Sequence, residues 1–437
     1  MKPSKYNITI DNEDGYVVYN TLNDRLMLCT PETMALLEGY RDRMDDCERV
    51  HPSLYRYLKE KSFIVPDDLD ETKKLLERFL QEDEDETYYS LTVNPTLNCN
   101  LACWYCYEEH LAGSDMTSET RRAVERLIER VISNGKTREF NLGFFGGEPL
   151  LGFRRCVKPL IEHADSLCKA HDVRLTLGFT SNAVLLSREI VDFLASTGLS
   201  AHMQIPFDGG RAVHDTIKKT HSGAGTYDRT LSNLKYAVSQ GIYVAVRCNY
   251  TNESVHSFAS LLDDLEPFCE RHLDRMHFSF HRIWQDEERR ETEEIVRGYE
   301  SRIAALGGAY YSLPTDRSRC YADKKHSTVI NYNGDMYQCT AREFTAANCE
   351  GKLLSDGTVE YNERYRMRME SRFSNPECLA CSLFPICKIC TQKRLEHDRG
   401  KCVVTDDKQP YIVSAVKARI AAIYKLKYGA GCLKCRT

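Results

Sequence analysis

The sequence has no long apolar run. No segment approaches the roughly 18 uninterrupted apolar residues that a membrane-spanning helix needs. Residues 1–30 also contain no basic start followed by an apolar stretch of the kind that directs export. We therefore expect a cytoplasmic protein with no membrane partner.

A surplus of positive charge is also missing. Lys and Arg total 59 against 64 Asp and Glu, which gives a formal net charge of -5. Because nucleic-acid-binding proteins usually carry a basic surplus, we expect no nucleic acid partner. At 437 residues the chain exceeds the size at which one hydrophobic core usually stays undivided, so two or three domains are predicted.

Cysteine, by contrast, is abundant, with 19 residues. In a chain without an export signal these thiols stay reduced, so a disulfide framework is disfavoured and metal ligation is favoured. Cys99, Cys103 and Cys106 lie close together, and most of the others follow Cys320. The rest lie in apolar patterns and are expected to be buried: Cys29, Cys47, Cys156, Cys168, Cys248 and Cys269.

Residues 1–66 predict a small α+β unit. The segments YNITI, YVVYN and RLMLC have the composition of short strands. Thr30 and Pro31 predict a helix start, and a second helix over residues 52–61 precedes another strand. Such a unit serves either packing or peptide binding. The acidic stretch over residues 67–88, which contains QEDEDE, predicts a linker.

Residues 89–305 alternate strand-like and helix-like segments. The strand-like runs are YSLTVN, EFNLGFF, VRLTLGFT, AHMQIPF, YVAVRCNY and MHFSFHRI. An amphipathic stretch follows each of them, which predicts an α/β fold with a parallel sheet, either open or curled as a partial barrel. In such folds the chemistry gathers at the C-terminal ends of the strands.

Regular patterning is lost beyond this region. Residues 306–403 set cysteines among turn residues, which predicts a domain where metals replace a large core. Residues 404–437 predict an amphipathic helix over 410–428 and a basic tail with Cys432 and Cys435. This last pair is a redox pair, an extra ligand set or part of a flexible end, and the sequence does not rank these alternatives.

Cys99, Cys103 and Cys106 have C-x3-C-x2-C spacing in the loop after the first predicted strand of the α/β region. Three thiolates can bind three irons of a [4Fe-4S] cubane and leave the fourth iron open to a non-protein ligand. A structural zinc site instead needs four protein ligands, and His110 is available as the fourth.

This loop resembles the signature of the radical SAM superfamily. The resemblance implies a partial (β/α)6 TIM-like barrel and a [4Fe-4S] cluster whose open iron is chelated by S-adenosyl-L-methionine (SAM). Reduction then cleaves SAM to a 5'-deoxyadenosyl radical. The segments FFGGEPLL and FTSNAVLL resemble the family's cofactor-binding stretches. The SAM contacts implied by the resemblance are Gly146, Gly147, Glu148, Pro149, Thr180, Ser181 and Asn182.

Two further residues are candidates for catalysis. Asp208 matches an Asp-Gly pair of the family and can bind cofactor or substrate, although Asp-Gly also forms ordinary turns. His281 ends the sixth strand and can accept a proton or contact substrate, or be merely structural. Pro206 stands where many relatives carry a serine that touches SAM, which puts that contact in doubt.

The later cysteines resemble the SPASM extension of radical SAM enzymes. The resemblance assigns Cys320, Cys339 and Cys390 to one auxiliary [4Fe-4S] cluster. It assigns a second auxiliary [4Fe-4S] cluster to Cys378, Cys381, Cys387 and Cys402. The family usually places three residues between the last two cysteines of the central group, where this chain has two. His326, Cys349, a substrate atom or nothing completes the first cluster. Two zinc sites are the alternative.

Two groups of relatives share this layout: peptide maturases and anaerobic sulfatase-maturing enzymes, which generate formylglycine. The second group carries an aspartate directly after the second SPASM cysteine, where this chain has Thr340, and this loss of a general base disfavours it. Peptide maturases often begin with a winged-helix-like unit that captures a leader peptide as an added strand.

The preferred interpretation is therefore a radical SAM peptide maturase. It would install a crosslink or another oxidative modification in a ribosomally made precursor peptide. Its partners would be that peptide and a reductant such as flavodoxin or ferredoxin. A non-catalytic zinc-binding peptide adaptor and an iron-sulfur electron carrier are the alternatives of other classes.

Overall fold

The structure, a computed structural model, describes residues 1–12, 15–287, 289–307, 309–310, 319–387, 389–397 and 402. These residues divide into two compact units. Those within Met1–Glu84, Leu313–Lys325 and Met367–Thr437 form the first unit, and those within Asp85–Ser312 and His326–Arg366 form the second. No helix in the described part of the chain is long and apolar enough to span a bilayer.

The first unit begins with short strands and helices. Its strands are β1 (Lys2–Pro3), β2 (Asn7–Asn12), β3 (Gly15–Asn20), β4 (Arg25–Cys29) and β5 (Ile64–Val65). Its first helices are α1 (Pro31–Gly39), α2 (Met44–Val50), α3 (Pro52–Glu60) and α4 (Glu71–Asp83). Strands β2, β3 and β4 form an antiparallel sheet, and β1 pairs with β5. Thr30 caps α1 by accepting a hydrogen bond from the Thr33 amide, as the sequence predicts.

Helix α4 differs from the linker predicted over residues 67–88. Asp70 caps the helix by accepting a hydrogen bond from the Lys73 amide. Leu75 and Phe79, four residues apart, are buried in one cluster with Phe384. Glu77 and Glu82 are exposed, whereas Glu71 and Asp83 are buried, and the number of charged residues conceals the amphipathic pattern. The stretch is therefore a packed element of the first unit.

The second unit contains the predicted parallel sheet. Its strands begin with β6 (Tyr88–Val93), β7 (Glu139–Phe144), β8 (Arg174–Thr180), β9 (Ser200–Phe207), β10 (Tyr243–Tyr250), β11 (Met276–Arg282) and β12 (Ala309–Tyr310). Its helices are α5 (Ser118–Ile132), α6 (Lys158–His171), α7 (Arg188–Ser196), α8 (Arg211–Ile217), α9 (Tyr227–Ser239), α10 (Phe258–His272) and α11 (Arg290–Ala305). Neighbouring strands from β6 to β12 pair in parallel, which confirms the α/β prediction.

The sheet continues past β6 on its other side. The added strands are β13 (Ser327–Ile330), β14 (Asp335–Tyr337), β15 (Gly351–Leu353) and β16 (Val359–Tyr361). Strand β13 lies parallel to β6, and the last three strands are antiparallel. The order over the described residues is β12-β11-β10-β9-β8-β7-β6-β13-β14-β15-β16.

The chain then returns to the first unit. Helix α12 (Glu363–Ser371) spans the boundary along the chain, and α13 (Pro376–Ala380) and α14 (Thr391–Glu396) follow. The predicted single domain over residues 306–403 is thus divided between the two units. The helix predicted over residues 410–428 lies outside the described residues, as do Cys432 and Cys435.

Alternation along the strands separates core from site. In β10, Val244, Val246 and Cys248 are buried in the main hydrophobic cluster. Arg247 and Asn249, which alternate with them, are only partly buried. Successive side chains of a strand point to opposite faces, so β10 presents polar groups on the face away from this cluster.

Candidate active site and cysteine sites

A cavity of about 440 Å³ lies at the C-terminal ends of the parallel strands of the second unit. Residues of the loops after β6, β7 and β8 line it, together with Pro206 of β9, Arg247 and Asn249 of β10 and Arg282 at the end of β11. Its volume is in the range of small-molecule and cofactor sites.

Cys99, Cys103 and Cys106 all line this cavity. Burial raises the pKa of Cys99 to about 12 and that of Cys106 to about 11. These thiols are therefore protonated without metal, and metal binding would displace their protons. Among the described residues, no three His, Cys, Asp or Glu groups converge on a single ion. Cysteines of a cubane bind different irons and need no such convergence, so three thiols around one cavity fit a cluster.

His110 lies beside one of these cysteines. Its Nε2 is 3.5 Å from Cys106 Sγ. Burial, followed by the charge of His221, lowers the pKa of His110, so its ring is neutral near pH 7. The zinc alternative that includes His110 thus has one contact in its favour.

Gly146 and Gly147 hold the loop after β7 against the cysteine loop. Gly146 has a φ of +102° and a Cβ there would lie 2.4 Å from the Thr96 carbonyl oxygen. A Cβ on Gly147 would lie 2.4 Å from the Asn98 carbonyl oxygen. Only glycine permits this close backbone approach. Both glycines also line the cavity, so they shape its wall.

Glu148 is fully buried behind the cavity lining. Its carboxylate accepts hydrogen bonds from the Leu150 amide at 3.0 Å, the Ser181 hydroxyl at 2.9 Å and the Asn182 amide at 2.9 Å. It therefore ties the loop after β7 to the loop after β8. Thr180, Ser181 and Asn182 line the cavity, whereas Pro149 does not. The SAM contacts of all these residues stay predictions.

Asp208 forms a buried pair with Lys218. Lys218 Nζ lies 3.4 Å from an Asp208 carboxylate oxygen and 3.8 Å from Cys103 Sγ. The Tyr105 hydroxyl donates a 2.5 Å hydrogen bond to the other carboxylate oxygen. Burial opposes the charge of Lys218, but Asp208, Tyr105 and Cys103 together outweigh this effect and raise the pKa of Lys218. Asp208 thus acts on the cavity through Lys218, which lines it.

His281 lies on β11 opposite Asn249 of β10. Burial and the neighbouring charge of Arg247 lower the pKa of His281 to about 4. The ring is therefore neutral at physiological pH and can accept a hydrogen bond. Its catalytic role stays a prediction.

Sequence reasoning missed several residues of the cavity wall. They are Tyr105, Lys218, Arg247, Asn249 and Trp284. A signal existed for two of them, because Arg247 and Asn249 are polar residues that alternate with apolar ones near the end of a predicted strand. Lys218 carries no such signal, because its partners lie in distant segments of the chain.

The first unit brings four of the predicted auxiliary-cluster cysteines into electrostatic range. Burial raises the pKa of Cys378; Arg394 lowers it, and the charges of Cys387, Cys402 and Cys381 raise it further. Arg394 also lies 3.9 Å from Cys387 Sγ. These thiols, all within the described residues, do not converge on a single ion, so their arrangement suits an iron-sulfur cluster, whose cysteines bind different irons, better than a zinc ion.

Cys320 and Cys390 also come together in the first unit. A hydrogen bond from the Cys320 thiol lowers the pKa of Cys390 to about 6 and raises that of Cys320. Cys339 lies in the second unit, where the Ala341 amide donates to its sulfur at 3.3 Å. The cluster assignment of these three cysteines stays a prediction.

The alternative ligands of that cluster, Cys349 and His326, also lie in the second unit. Cys349 donates to the Gly351 carbonyl at 3.1 Å. The ring of His326 lies 6.2 Å from that of Tyr89.

The radical SAM superfamily profile matches residues 93–265. The chain is 27% identical over 237 residues to Fe-coproporphyrin III synthase of Methanosarcina barkeri (strain Fusaro / DSM 804), covering 54% of each protein. It is 28% identical over 173 residues to PqqA peptide cyclase of Rhodopseudomonas palustris (strain ATCC BAA-98 / CGA009), covering 38% of this chain and 41% of the cyclase. The chain thus spans about half the length of these curated relatives.

Solved structures share the fold. Native anSMEcpe with bound AdoMet aligns with a TM-score of 0.57 at 16% identity, covering 77% of this chain and 98% of that one. The same protein with AdoMet and a Cp18Cys peptide aligns with a TM-score of 0.56. SuiB of Streptococcus suis aligns with a TM-score of 0.51 at 17% identity, covering 93% of this chain and 100% of SuiB.

Proposed function

Residues 93–265 belong to the radical SAM superfamily, and from this premise we propose that the chain is a peptide maturase. It installs a crosslink or another oxidative modification in a ribosomally made precursor peptide. The observation that carries the proposal is the cavity at the strand ends, because the three cysteines of the C-x3-C-x2-C loop line it together with Gly146 and Gly147.

The cysteine loop and its neighbours would hold the cofactors. Cys99, Cys103 and Cys106 would bind a [4Fe-4S] cluster, and the lining residues Gly146, Gly147, Thr180, Ser181 and Asn182 would contact SAM. When bound, these cofactors supply the 5'-deoxyadenosyl radical that removes hydrogen from the substrate. Glu148 and Pro149 support the same wall from behind.

The chain's own residues orient the reactants and limit water. Asp208 is a positioning residue that keeps Lys218 beside Cys103. Tyr107 stacks on Trp284 at 5.2 Å and donates a 2.7 Å hydrogen bond to the Thr340 carbonyl. These three residues line one side of the cavity and restrict solvent there. His281 is not among the residues that line the cavity, and its contact with the substrate stays a prediction.

A peptide substrate is supported by the relatives and by the first unit. PqqA peptide cyclase is named for a peptide, and anSMEcpe has the same fold in its complex with a peptide. In the first unit β2 and β4 are the outer strands of the sheet, and Leu28 of β4 is 54% exposed. An outer strand can receive a leader peptide as an added strand.

Electron transfer would involve the other cysteines. One auxiliary cluster uses Cys320, Cys339 and Cys390. The other uses Cys378, Cys381, Cys387 and Cys402. Clusters held by these cysteines would supply an electron acceptor or an anchor for the peptide. A reductant such as flavodoxin or ferredoxin supplies the electron that starts SAM cleavage.

Thr340 weighs against the sulfatase-maturing alternative. It follows Cys339 at the position where that group carries an aspartate, and it lines the cavity. A threonine hydroxyl is too weakly basic to replace the carboxylate as a general base.

Anaerobic purification tests the enzyme class. We expect the protein to contain iron and sulfide and to form 5'-deoxyadenosine from SAM with dithionite. A zinc-loaded protein without iron would support the zinc-binding adaptor instead. An iron-loaded protein that does not cleave SAM would support an electron carrier.

Co-expression tests the substrate class. Candidate precursor peptides are expected to lose two hydrogens, read by mass spectrometry, when produced with the unmodified enzyme. The variant that carries Cys99→Ala, Cys103→Ala and Cys106→Ala is the control and should leave the peptide unchanged. Conversion of a Ser or Cys side chain to an aldehyde would instead identify a formylglycine-generating enzyme.

A further inference from the structure

Arg247 is a partly buried cation in the wall of the cavity. Its Nε donates a 2.9 Å hydrogen bond to the Asn249 side chain, two residues along β10. In the described part of the chain no carboxylate forms an ion pair with it, and this includes Glu108, which lines the same cavity. Its guanidinium therefore faces the cavity without a counter-charge from the protein.

Two other cations, Lys218 and Arg319, have side chains that are 6% and 9% exposed and are paired with carboxylates. Lys218, in the same cavity wall, lies 3.4 Å from Asp208. Arg319, in the first unit, lies 2.7 Å from Asp83 and 3.6 Å from Asp323. A cation removed from water is costly unless it is paired. Arg247 thus lacks the carboxylate partner that these two cations have.

The neighbours of Arg247 do not supply a negative charge. On the adjacent strands its register partners are Pro206 and Ser279. The ring of His281 is neutral, because burial and Arg247 itself lower its pKa to about 4. The phenols of Tyr105 and Tyr107 act on Arg247 only weakly, and burial lowers the pKa of the guanidinium. A molecule bound in the cavity is therefore in position to supply the counter-charge.

We propose that Arg247 binds a carboxylate of a reactant held in the cavity. The planar guanidinium can donate two parallel hydrogen bonds to a carboxylate, which gives orientation as well as affinity. Two reactants can supply this group: the methionine carboxylate of SAM, or an acidic side chain of the peptide. The inference rests on the proposed function, because that function brings both reactants into this cavity.

SAM affinity tests the first source. Equilibrium dialysis measures it for the anaerobically reconstituted full-length enzyme, with decarboxylated SAM as the probe that lacks the carboxylate. If SAM supplies the group, Arg247→Gln weakens SAM binding on the order of ten- to a hundred-fold and leaves decarboxylated SAM unaffected. Arg247→Lys, which keeps the charge without the planar fork, has an intermediate effect. Arg154→Gln is the control, because Arg154 is 77% exposed and pairs with Glu189 at the surface.

Chemical labelling tests the second source in the unmutated chain. Phenylglyoxal modifies accessible guanidinium groups, and mass spectrometry reads the labelling of Arg247. With SAM bound, N-acetyl-glutamate amide is expected to slow the labelling if the peptide supplies the carboxylate, whereas N-acetyl-glutamine amide is not. Because no substitution is involved, a variant that fails to fold does not affect this experiment.

The two measurements together decide the proposal. Either a selective loss of SAM affinity or selective protection by the glutamate probe supports it and identifies the source. If SAM affinity is unchanged in Arg247→Gln and neither SAM nor the glutamate probe protects Arg247, the proposal is wrong. Failure of the wild-type enzyme to cleave SAM would instead reject the proposed function, so the two failures are distinguishable.

Discussion

The two cysteine groups of this chain have opposite surroundings. In the second unit, Cys99, Cys103 and Cys106 line a cavity of about 440 Å³. In the first unit, Cys378 and Cys381 pack against the hydrophobic cluster that contains Phe79 and Phe384. A ligand that enters the cavity can reach the first group. The second group is supported by side chains of its own unit.

Buried charges follow the same division. Asp83 of the first unit lies 2.7 Å from Arg319 and 3.2 Å from Arg372, and Arg319 also packs over the ring of Phe79 at 4.6 Å. In the second unit Lys218 and Arg247 face the cavity. Asp83 of the first unit thus has its counter-charges within the protein, whereas Arg247, and Lys218 with its partner Asp208, border the cavity that reactants can enter. We therefore expect the chemistry to take place in the second unit.

Removing the cysteines of either group provides the strongest test of this division. Replacing Cys99, Cys103 and Cys106 with alanine should abolish 5'-deoxyadenosine formation, because no thiolate remains to hold the cluster that binds SAM. Replacing Cys378 and Cys381 should lower the iron content while SAM cleavage stays measurable. The readouts are chromatography of 5'-deoxyadenosine and iron analysis of the same samples.

The second variant is the matched control for the first, because both lose cysteines and iron. If loss of Cys378 and Cys381 stops SAM cleavage in protein that keeps its fold by circular dichroism, the two groups do not have separate roles. The division between a reactive and a supporting group would then be wrong.

The next largest effect is expected from removing a buried carboxylate. Asp83→Ala should lower the free energy of unfolding by about 3–5 kcal/mol, because Arg319 and Arg372 lose their shared partner inside the protein. Asp208→Ala should cost less, because only Lys218 is left unpaired and Lys218 borders a cavity that water can enter. Urea denaturation followed by circular dichroism measures both.

Asp228→Ala is the surface control for these two losses of unfolding free energy. Asp228 pairs with Arg211 at the surface, where an ion pair contributes about 0–1 kcal/mol. Suppose that Asp83→Ala and Asp208→Ala lower the free energy of unfolding by equal amounts. The distinction between a carboxylate enclosed by the protein and one beside the cavity would then be contradicted.

The parts predicted from sequence share a physical property. Strands β6–β11 were predictable because a buried parallel strand is an apolar run of six or more residues between turn residues. The cysteine and glycine loops were predictable because their spacing lies within one short segment. Strands β13–β16 were not, because runs of three or four residues are too short to show a period.

The remaining features depend on distant contacts. Tyr105 and Asp208 meet across 103 positions of sequence, and Asp83 and Arg319 across 236. No pattern in either local segment predicts which distant residue it contacts. The packed face of α4 was not predictable from the sequence for a related reason. Leu75 and Phe79 are outnumbered in this helix by charged residues. Only their burial beside Phe384 shows that the helix is part of a core.

A smaller effect is expected from the backbone that supports the open site. Gly147→Ala places a Cβ 2.4 Å from the Asn98 carbonyl and 2.5 Å from the Leu97 carbonyl, so the cysteine loop must shift. We expect a loss of about 1–3 kcal/mol in unfolding free energy and a lower fraction of iron-loaded protein. Gly298→Ala in α11 is the matched control, because a Cβ there meets nothing within 4 Å. The same added methyl group should stabilise that helix by about 0.5–1 kcal/mol. Opposite signs for the two variants, with iron loading lost only in Gly147→Ala, would show that close packing of the two loops maintains the site. Equal effects would mean that the glycine pair contributes only to general stability.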